Sequence, residues 1–429
     1  MTDISVLIGN SLLSFAYYYP LFMAYLWIIG AIYYYFRWER RQNRWDDPPK
    51  LDHYPAVAVI VPCYNEEKNI RETLEALTQL NYPDYEVIAV NDGSSDRTGL
   101  ILDEMAARHD RIRVVHLATN QGKAMALRMG SMLSRAEYLV CIDGDALLDP
   151  QAVIWMMQHF VNSPRVAGVT GNPRIRTRST LLGKIQVGEF SAILGLIKRA
   201  QRIYGRVFTM SGVVSAFRKS ALHQVGYWSL DMVTEDIDIS WKLQMNHWDI
   251  RYEPHAICWI LMPETLRGLW KQRLRWAQGG NEVLLRYARK LQQWQKRRMW
   301  PVFLEYFTSI IWGYTMLTVI LLYFAGLVFT LPPGFRVESI IPTWPGVVLG
   351  ITCLLQFAIS FALDTRYEKG LFKYYFVMIW YPLAFWLINM FTAVVALPKA
   401  ILKQRGVRAR WRTEDRGIHP EPRIEPRES

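Results

Sequence analysis

The chain has 429 residues, of which 51% are hydrophobic, and a formal net charge of +12. Its cysteines lie far apart without a Cys-x-x-Cys pair, which excludes a zinc-ribbon site and a disulfide framework; they are Cys63, Cys141, Cys258 and Cys353. Lys and Arg concentrate beside long apolar stretches, where membrane topology and anionic lipid account for them, so we exclude a nucleic-acid-binding protein.

Four uncharged stretches are each long enough to cross a bilayer, which takes roughly 20 residues of helix. In chain order they are 15–36, 306–331, 339–363 and 374–398. The first is not a signal peptide, because no basic segment precedes it and its uncharged core exceeds the roughly 7–15 residues of a cleaved one. We predict a membrane protein with four candidate crossings.

The basic residues predict the orientation of these stretches. Residues 1–14 contain no Lys or Arg, whereas five basic residues lie within 37–50, so the positive-inside rule puts the N-terminus outside and the next segment in the cytosol. Four crossings would return the C-terminal tail to the outside, yet six basic residues within 399–412 favour a cytosolic tail. Pro382 can break the last stretch into a re-entrant or hairpin element, and we expect the tail to stay in the cytosol.

The segment between the first two stretches predicts an α/β fold. Continuous apolar runs at 56–61, 87–90, 113–117 and 138–142 alternate with helical patterns at 66–80 and 122–134. Such runs are typical of buried parallel strands joined by crossover helices. Ligands of parallel sheets bind beyond the carboxyl ends of the strands.

Acidic residues follow three of these predicted strands: Glu66 the first, Asp92 the second, and Asp143 and Asp145 the fourth. A carboxylate pair there can hold Mg²⁺ or Mn²⁺ against a nucleotide-sugar diphosphate, because hard cations prefer oxygen ligands and the metal offsets charge on the leaving group. Lys123 opens the second predicted helix and can reach the donor phosphates; the alternative is an exposed lysine at a helix start.

A second acidic motif, Thr234-Glu235-Asp236, is closely followed by Asp238. Mutual repulsion in a water-poor cleft can raise the pKa of one of these carboxylates and suit it to act as a general base. The alternative is an acidic first turn of a helix, which the helix dipole favours.

The third motif runs from Gln272 to Trp276 and contains Arg273 and Arg275. Its arginines can neutralise diphosphate oxygens and its indole can stack on a sugar ring. Residues 266–298 carry ten basic residues among apolar ones, which predicts amphipathic helices at the cytosolic membrane surface, so the alternative is a helix that touches only lipid. The three motifs in this order indicate a glycosyltransferase.

The ordered segments 59–67, 91–96, 143–145, 234–236 and 272–276 resemble the signature of membrane processive glycosyltransferases of family 2, which include cellulose, chitin and hyaluronan synthases. More narrowly, 170–180, 183–189 and 260–266 resemble bacterial poly-β-1,6-N-acetylglucosamine synthases. The resemblance reaches 408–411, is weakest in the first fifteen residues and shows no departure at any motif acid.

The resemblance implies a cytosolic GT-A domain, a Rossmann-like α/β fold with a mainly parallel sheet, in a multi-pass protein of the bacterial inner membrane. It also implies an inverting transfer that builds the biofilm exopolysaccharide from UDP-N-acetylglucosamine. The expected organisation is a first membrane helix and basic linker (1–53), the GT-A domain (54–263), interfacial helices (264–300), C-terminal membrane helices (301–403) and a basic tail (404–429).

The resemblance also implies site roles. Asp236 is the expected base, assisted by Glu235, and Asp145 with Asp143 holds Mg²⁺ or Mn²⁺. Trp276 and Gln272 are expected to contact the acceptor. The donor-binding residues are expected to be Pro62, Tyr64, Glu66, Asp92, Lys123, Asp143, Arg273 and Arg275.

The expected partners are the nucleotide sugar, the growing polysaccharide, the lipid bilayer and a small membrane subunit. Only residues 399–429 follow the last stretch, so control by cyclic di-GMP, which the resemblance suggests, would need a sensing surface shared with that subunit. A cluster of Arg174, Arg176, Arg178 and Lys184 can contact donor, acceptor or a regulatory anion. The sugar and linkage rest on the resemblance, and the alternatives are a synthase of another linkage and a non-processive polyprenyl-phosphate glycosyltransferase.

Overall fold

The computed structural model describes residues 2–337, 339, 344–404, 406–410 and 417. The chain begins with a long apolar helix, α1 (Thr2–Tyr34), which continues into a π-helical turn (Tyr35–Glu39). A mixed eight-stranded sheet follows. Its strands are β1 (Val57–Cys63), β2 (Tyr85–Asn91), β3 (Ile112–His116), β4 (Tyr138–Ile142), β5 (Leu147–Leu148), β6 (Val166–Ile175), β7 (Val214–Arg218) and β8 (Asp249–Ile260).

The order of the strands across the sheet is β3-β2-β1-β4-β7-β6-β8-β5. The pairs β1–β2, β1–β4, β2–β3 and β6–β8 are parallel, whereas β7 runs antiparallel to both of its neighbours. The α/β prediction is confirmed: the four predicted strands correspond to β1–β4, and 138–142 agrees with β4 at both ends. β6 extends to Ile175, so Arg174 lies within this strand.

Within the described residues, ten α-helices, α1 to α10, lie before the next long apolar helix in the chain. The nine after α1 are α2 (Ile70–Thr78), α3 (Thr98–Arg108), α4 (Lys123–Leu133), α5 (Ala152–Val161), α6 (Leu181–Phe190), α7 (Lys198–Ile203), α8 (Lys219–Val225), α9 (Glu235–Met245) and α10 (Leu266–Leu291). A π-helical turn (Ser191–Ile197) joins α6 to α7.

Both faces of the sheet are covered, which explains the continuous apolar runs of its parallel strands. Alternate residues of β1 point to opposite faces: Val59 packs with Leu74 of α2, whereas Ile60 packs with Leu127 of α4. On the second face, Gly130 of α4 lies so close to the sheet that a Cβ there would be 2.6 Å from Ile60 Cγ2.

Within the part of the chain that the structure describes, four helices are long and apolar enough to cross a membrane, as the sequence predicts. After α1 they are α11 (Trp300–Val328), α12 (Trp344–Asp364) and α13 (Tyr381–Leu402). Helix α1 begins at Thr2, well before residue 15, where the first predicted stretch starts. Residues 340–343 of the third predicted stretch lie outside the described residues. The last predicted stretch is divided: a 3₁₀ helix (Leu371–Trp380) ends where α13 begins, and Pro382 occupies the first turn of α13, where its missing N–H costs nothing.

The predicted interfacial segment forms one long helix, α10, and a 3₁₀ helix (Trp294–Met299) that leads into α11. One side of α10 is buried through residues such as Leu269, Val283 and Tyr287. Because α13 packs along α10, the sheet domain is attached directly to apolar helices.

A buried ion network connects the sheet domain with the apolar helices. The guanidinium of Arg199 on α7 donates to Glu39, which follows α1, at 2.8 and 2.9 Å, and to Asp364 at the end of α12 at 2.8 Å. Arg174 of β6 lies 2.9 Å from the other oxygen of Asp364. All four side chains are almost completely buried.

The three arginines of the basic cluster are held in ion pairs. Arg174 pairs with Asp364, Arg176 with Glu72 at 2.7 Å, and Arg178 with Glu368 at 2.5 Å. These contacts fasten β6 and the segment after it to α2 and α12.

We expect Arg199→Met to destabilise the protein by about 3–5 kcal/mol, because the substitution leaves the buried Glu39 without a counter-charge and Asp364 with Arg174 alone. The measurement is thermal unfolding of the detergent-solubilised protein. Arg44→Met is the matched control, since Arg44 forms an exposed pair with Asp46 at 3.0 Å and such pairs contribute little. Equal melting temperatures for the two variants would contradict the structural role of Arg199.

Candidate active site

The acidic residues of the sequence motifs meet at one edge of the sheet. The parallel strands β1, β2 and β4 end at Cys63, Asn91 and Ile142, so the residues that follow them lie side by side. Glu66, Asp92 and Asp145 are buried there, and Asp143 is largely buried. This placement is the one expected for a ligand site of a parallel sheet.

Asp92 organises the loop that leads into α4. Its two carboxylate oxygens accept hydrogen bonds from the backbone N–H groups of Gln121, at 2.7 Å, and Gly122, at 2.8 Å. Burial raises the pKa of Asp92 in spite of these bonds. The neighbouring residue Asn91 makes a local turn here, because its Oδ1 accepts from Ser94 N at 3.0 Å.

Lys123 connects the two acidic motifs. Its Nζ lies 2.5 Å from Asp143 Oδ1 and 3.4 Å from Glu235 Oε1, and it donates to Gly212 O at 3.1 Å. Burial alone would lower the pKa of Lys123, but the neighbouring carboxylates outweigh burial and raise it. Lys123 is therefore a fixed cation within the acidic site and not an exposed lysine.

Asp143 and Asp145 offer carboxylate oxygens, the ligand type that Mg²⁺ and Mn²⁺ prefer. Among the described residues, no group of three or more His, Cys, Asp and Glu side chains is arranged to hold a metal ion. Two carboxylates fit a cation that takes its remaining ligands from water and from substrate phosphates, which is the usual arrangement for Mg²⁺ at nucleotide sites.

Glu235, Asp236 and Asp238 lie in the first turn of α9. Asp236 accepts hydrogen bonds from Gly212 N at 3.1 Å and from Ile237 N at 2.9 Å. Burial and the charge of Glu235 raise the pKa of Asp236 to about 6. A carboxylate with this pKa is ionised at neutral pH and basic enough to accept a proton.

Asp238 points away from this site. Its Oδ1 accepts from Tyr287 OH of α10 at 2.8 Å, and Lys242 lies 3.6 Å from its other oxygen. Asp238 thus joins α9 to α10, and the acidic cluster facing Lys123 consists of Asp143, Glu235 and Asp236.

The side chains of the 272–276 motif on α10 face two different regions, the acidic site and helix α6. The charge of Arg275 lowers the pKa of Asp236, which places this guanidinium in the field of the acidic site. Arg273 instead forms a buried ion pair with Glu189 of α6, and its guanidinium lies 4.4 Å from the ring centre of Trp276. Trp276 also contacts the ring of Phe190. Gln272 is buried, with its Nε2 3.8 Å from Met262 Sδ.

The remaining expected donor residues lie at the end of β1. Pro62 is buried within the strand, Tyr64 is half-buried just beyond it, and Glu66 accepts at Oε2 from Asn69 Nδ2 at 3.4 Å. These donor residues adjoin Asp143 and Asp145, because the backbone oxygen of Pro62 lies against the intervening Gly144.

Sequence reasoning missed Gly212, whose N–H donates to Asp236 and whose C=O accepts from Lys123. A Cβ at this position would lie 3.0 Å from Asp236 Oδ2, so a larger residue would press on that carboxylate. The Ser211-Gly212 pair just before β7 was the available signal, since a glycine at a strand end often marks a close approach.

The start of the C-terminal tail also contacts this region. Lys403 Nζ lies 2.8 Å from Glu282 of α10, Ala409 N donates to Leu230 O at 2.9 Å, and the Arg408 guanidinium donates to the side chain of Gln121. The tail residues Arg405, Trp411 and Arg412 lie outside the described residues.

Comparison with known proteins gives a consistent result. The family model described as "Glycosyltransferase like family 2" matches residues 55–279. A poly-β-1,6-N-acetyl-D-glucosamine synthase of Staphylococcus epidermidis is 40% identical over 410 residues, covering 94% of this chain and 98% of that protein. The synthase of that name from Staphylococcus aureus (strain COL) is 40% identical over 409 residues, with the same shares covered.

A solved structure shares the fold. The mannosyltransferase PcManGT from Pyrobaculum calidifontis, in complex with GDP-Man and Mn²⁺, superposes with a TM-score of 0.65 and 19% identity, covering 93% of this chain and 99% of that one. The GT-A type of fold predicted for the sheet domain is thereby confirmed.

Proposed function

This chain belongs to glycosyltransferase family 2, and on that basis we propose that it polymerises N-acetylglucosamine from UDP-N-acetylglucosamine into poly-β-1,6-N-acetylglucosamine and passes the product across the membrane. The observation that carries the proposal is the placement of the site: Lys123 joins Asp143 to Glu235 at the sheet edge, and α10 leads from this site directly to apolar helices. The alternatives are a synthase of another linkage and a non-processive enzyme that glycosylates a polyprenyl phosphate.

The proposed transfer inverts the configuration at the sugar C1. Asp236 takes the proton of the acceptor 6-hydroxyl while that oxygen attacks C1, the bond from C1 to the diphosphate breaks, and UDP leaves on the opposite face. The hydrogen bonds from Gly212 and Ile237 hold the base in place for this step. Glu235 supports it by raising the pKa of Asp236.

We propose that Asp143 and Asp145 hold Mg²⁺ or Mn²⁺ when the donor is bound. The cation would supply positive charge beside the leaving diphosphate. Lys123 would then bind donor phosphate oxygens, since its ammonium group is already held between Asp143 and Glu235. Arg275 would add a second positive charge on the same side.

Asp92 and the β1 end residues Pro62, Tyr64 and Glu66 are proposed to bind the uridine part of the donor. Asp92 has both oxygens bonded to backbone amides, and each oxygen retains a further lone pair for a base or ribose group. The position of Arg273 in its pair with Glu189 favours a supporting role, because the guanidinium fixes the Trp276 ring and not the phosphates.

Trp276 and Gln272 are proposed to contact the acceptor sugar. We expect Trp276→Ala to lower polymer yield while UDP affinity stays near that of the wild type, since loss of a stacking indole removes about 1 kcal/mol. Trp294→Ala is the matched control, because Trp294 is exposed beyond the end of α10. Equal losses of polymer yield and UDP affinity in Trp276→Ala would instead indicate a role in folding or lipid anchoring.

We propose that the protein lies in the bacterial inner membrane with the sheet domain in the cytosol, and that α13 stays on the cytosolic side. The two ends of α13 contact α6 and α10: Tyr381 OH donates to Glu189 of α6 at 3.5 Å, and Lys403, which directly follows α13, pairs with Glu282 of α10. Three crossings would then remain, which accounts for the basic tail.

Cysteine labelling with a membrane-impermeant maleimide tests this topology. We expect Arg408→Cys to react only after the membrane is permeabilised, and Ile4→Cys to react in intact spheroplasts. The four native cysteines are buried, so background reaction is low. Labelling of Arg408→Cys in intact spheroplasts would show that α13 crosses the membrane.

A small membrane subunit and control by cyclic di-GMP remain part of the proposal on the strength of the resemblance. Arg174, Arg176 and Arg178 are engaged in ion pairs, which favours a sensing surface elsewhere or shared with the subunit.

The proposed function is tested by incubating membranes that contain the protein with radiolabelled UDP-sugars, one at a time. We expect incorporation into high-molecular-weight product from UDP-N-acetylglucosamine alone. Incorporation from UDP-glucose without incorporation from UDP-N-acetylglucosamine would refute the proposed donor.

A further inference from the structure

Lys198, at the start of α7, is a buried lysine that belongs to none of the sequence motifs. Its side chain is 3% exposed, and its Nζ donates to Thr170 Oγ1 at 2.9 Å. Among the described residues it forms no ion pair within 4 Å, which distinguishes it from the neighbouring Arg199. Burying an ammonium group without a paired carboxylate is costly, so its retention calls for a reason beyond packing.

A short series of hydrogen bonds leads from Lys198 to the proposed base. Thr170 Oγ1 also accepts from Ser211 N at 2.8 Å. The next residue, Gly212, donates its N–H to Asp236 Oδ2 at 3.1 Å. Lys198 therefore holds, through one hydroxyl, the turn that orients the peptide group in contact with Asp236.

The same helix is fixed by the apolar helices on its other sides. Arg199 is bonded to Glu39 and Asp364, and Gln201 donates to Glu305 of α11 at 3.2 Å. Ala200 packs so closely against α1 that a Cβ on Gly30 would lie 2.7 Å from Ala200 Cβ. Consecutive residues of α7 thus contact three apolar helices and the turn beside Asp236. These contacts hold the backbone of Lys198 in a fixed position.

We propose that Lys198 is a positioning residue for the transfer reaction: it fixes Thr170 and the Ser211–Gly212 turn so that the Gly212 N–H meets Asp236, and its positive charge helps to keep that carboxylate ionised. The proposal rests on the assignment of Asp236 as the base.

The electrostatics agree with this geometry. Burial lowers the pKa of Lys198 to about 7, and the carboxylate of Asp236 opposes that effect. The other charged groups that act on Asp236 are Glu235, which raises its pKa, and Lys123 and Arg275, which lower it. Removing the charge of Lys198 should therefore raise the pH at which Asp236 loses its proton.

The test compares variants of the full-length protein in lipid nanodiscs. Lys198→Met keeps most of the length of the side chain and removes its charge. We expect kcat to fall about 10- to 100-fold, as for other small displacements of a catalytic group, while KM for the donor and the Kd for UDP stay within about twofold. The acid limb of the kcat–pH profile should move to higher pH.

Thr170 provides the second arm, which remains informative if Lys198→Met folds poorly. Thr170→Val should lower kcat in the same way, whereas Thr170→Ser, which keeps the hydroxyl, should have a kcat near that of the wild type. The double variant of Lys198→Met and Thr170→Val should be no worse than the more impaired single variant. Lys219→Met is the matched control, because Lys219 also donates to a single neutral oxygen, Ser134 O at 2.6 Å, at the far edge of the sheet.

A parallel loss of kcat and UDP affinity, an unchanged acid limb, or additive effects of Lys198→Met and Thr170→Val would overturn the proposal. The wild-type rate in the same assay separates this result from a failure of the proposed function. With the small subunit supplied where activity requires it, an inactive wild type counts against the polymerase assignment, whereas an active wild type with unaffected variants counts against Lys198 alone.

Discussion

Asp236→Asn is expected to reduce polymer formation by about 10²–10⁴-fold while UDP and metal ions still bind, because a missing general base costs about that much in rate. The amide keeps the shape of the side chain, and its single oxygen can still accept one of the two backbone N–H groups, of Gly212 or of Ile237, so most of the site should remain assembled. The measurements are the initial rate of incorporation and the Kd for UDP with and without Mn²⁺.

The wild-type pH profile gives the same assignment a second check. The base must be unprotonated, and burial raises its pKa to about 6, so the rate should fall as the pH drops through about 6. Asp110→Asn, in an exposed turn before β3, is the matched control and should behave as the wild type. An Asp236→Asn variant that keeps most of its activity would exclude Asp236 as the base.

Asp145→Asn is expected to abolish polymer formation for a different reason, the loss of metal-dependent donor binding. Affinity for UDP in the presence of Mn²⁺ should fall about 10-fold or more, and excess Mn²⁺ should restore part of the activity, because an amide oxygen is a weaker ligand for a hard cation. UDP affinity without metal should change little. The measurement is UDP binding by calorimetry across a series of Mn²⁺ concentrations.

The two variants should look alike in polymer assays and different in binding assays. Asp145 and Asp236 lie on separate elements, the end of β4 and the first turn of α9, so one substitution does not remove the other carboxylate. If Asp236→Asn lost metal-dependent UDP binding while Asp145→Asn kept it, the two roles would have to be exchanged.

The sheet edge could be predicted from the sequence because its determinants are local. β4 is buried on both faces, so it forms a continuous apolar run whose end is marked by Asp143. The acids that follow parallel strands share an edge by topology, which places Glu66 and Asp92 beside the carboxylate pair without knowledge of the loops.

The partners of charged side chains could not be predicted, because they depend on contacts between distant segments. Arg174 is held by Asp364 at the end of α12, and Arg178 is held by Glu368 just after that helix. The sequence offers no periodicity that links these pairs. Arg273 is held in the same way by Glu189, so the motif alone could not distinguish a phosphate contact from a support for Trp276.

The last apolar stretch shows the limit of composition as a guide. Its length and hydropathy are those of a crossing, and α13 satisfies both criteria. The contacts at the two ends of α13, with Glu189 and Glu282, favour a position along α10. In the sequence, only the basic charge of the tail indicated a cytosolic position.

The central claim is that this chain builds a 6-linked N-acetylglucosamine polymer, and analysis of the product made by the purified protein in proteoliposomes tests it most directly. With UDP-N-acetylglucosamine as the donor, and with the small subunit supplied where activity requires it, we expect a polydisperse product whose linkage analysis shows 6-substituted N-acetylglucosamine. A single sugar attached to lipid, or a polymer substituted at another position, would contradict the account.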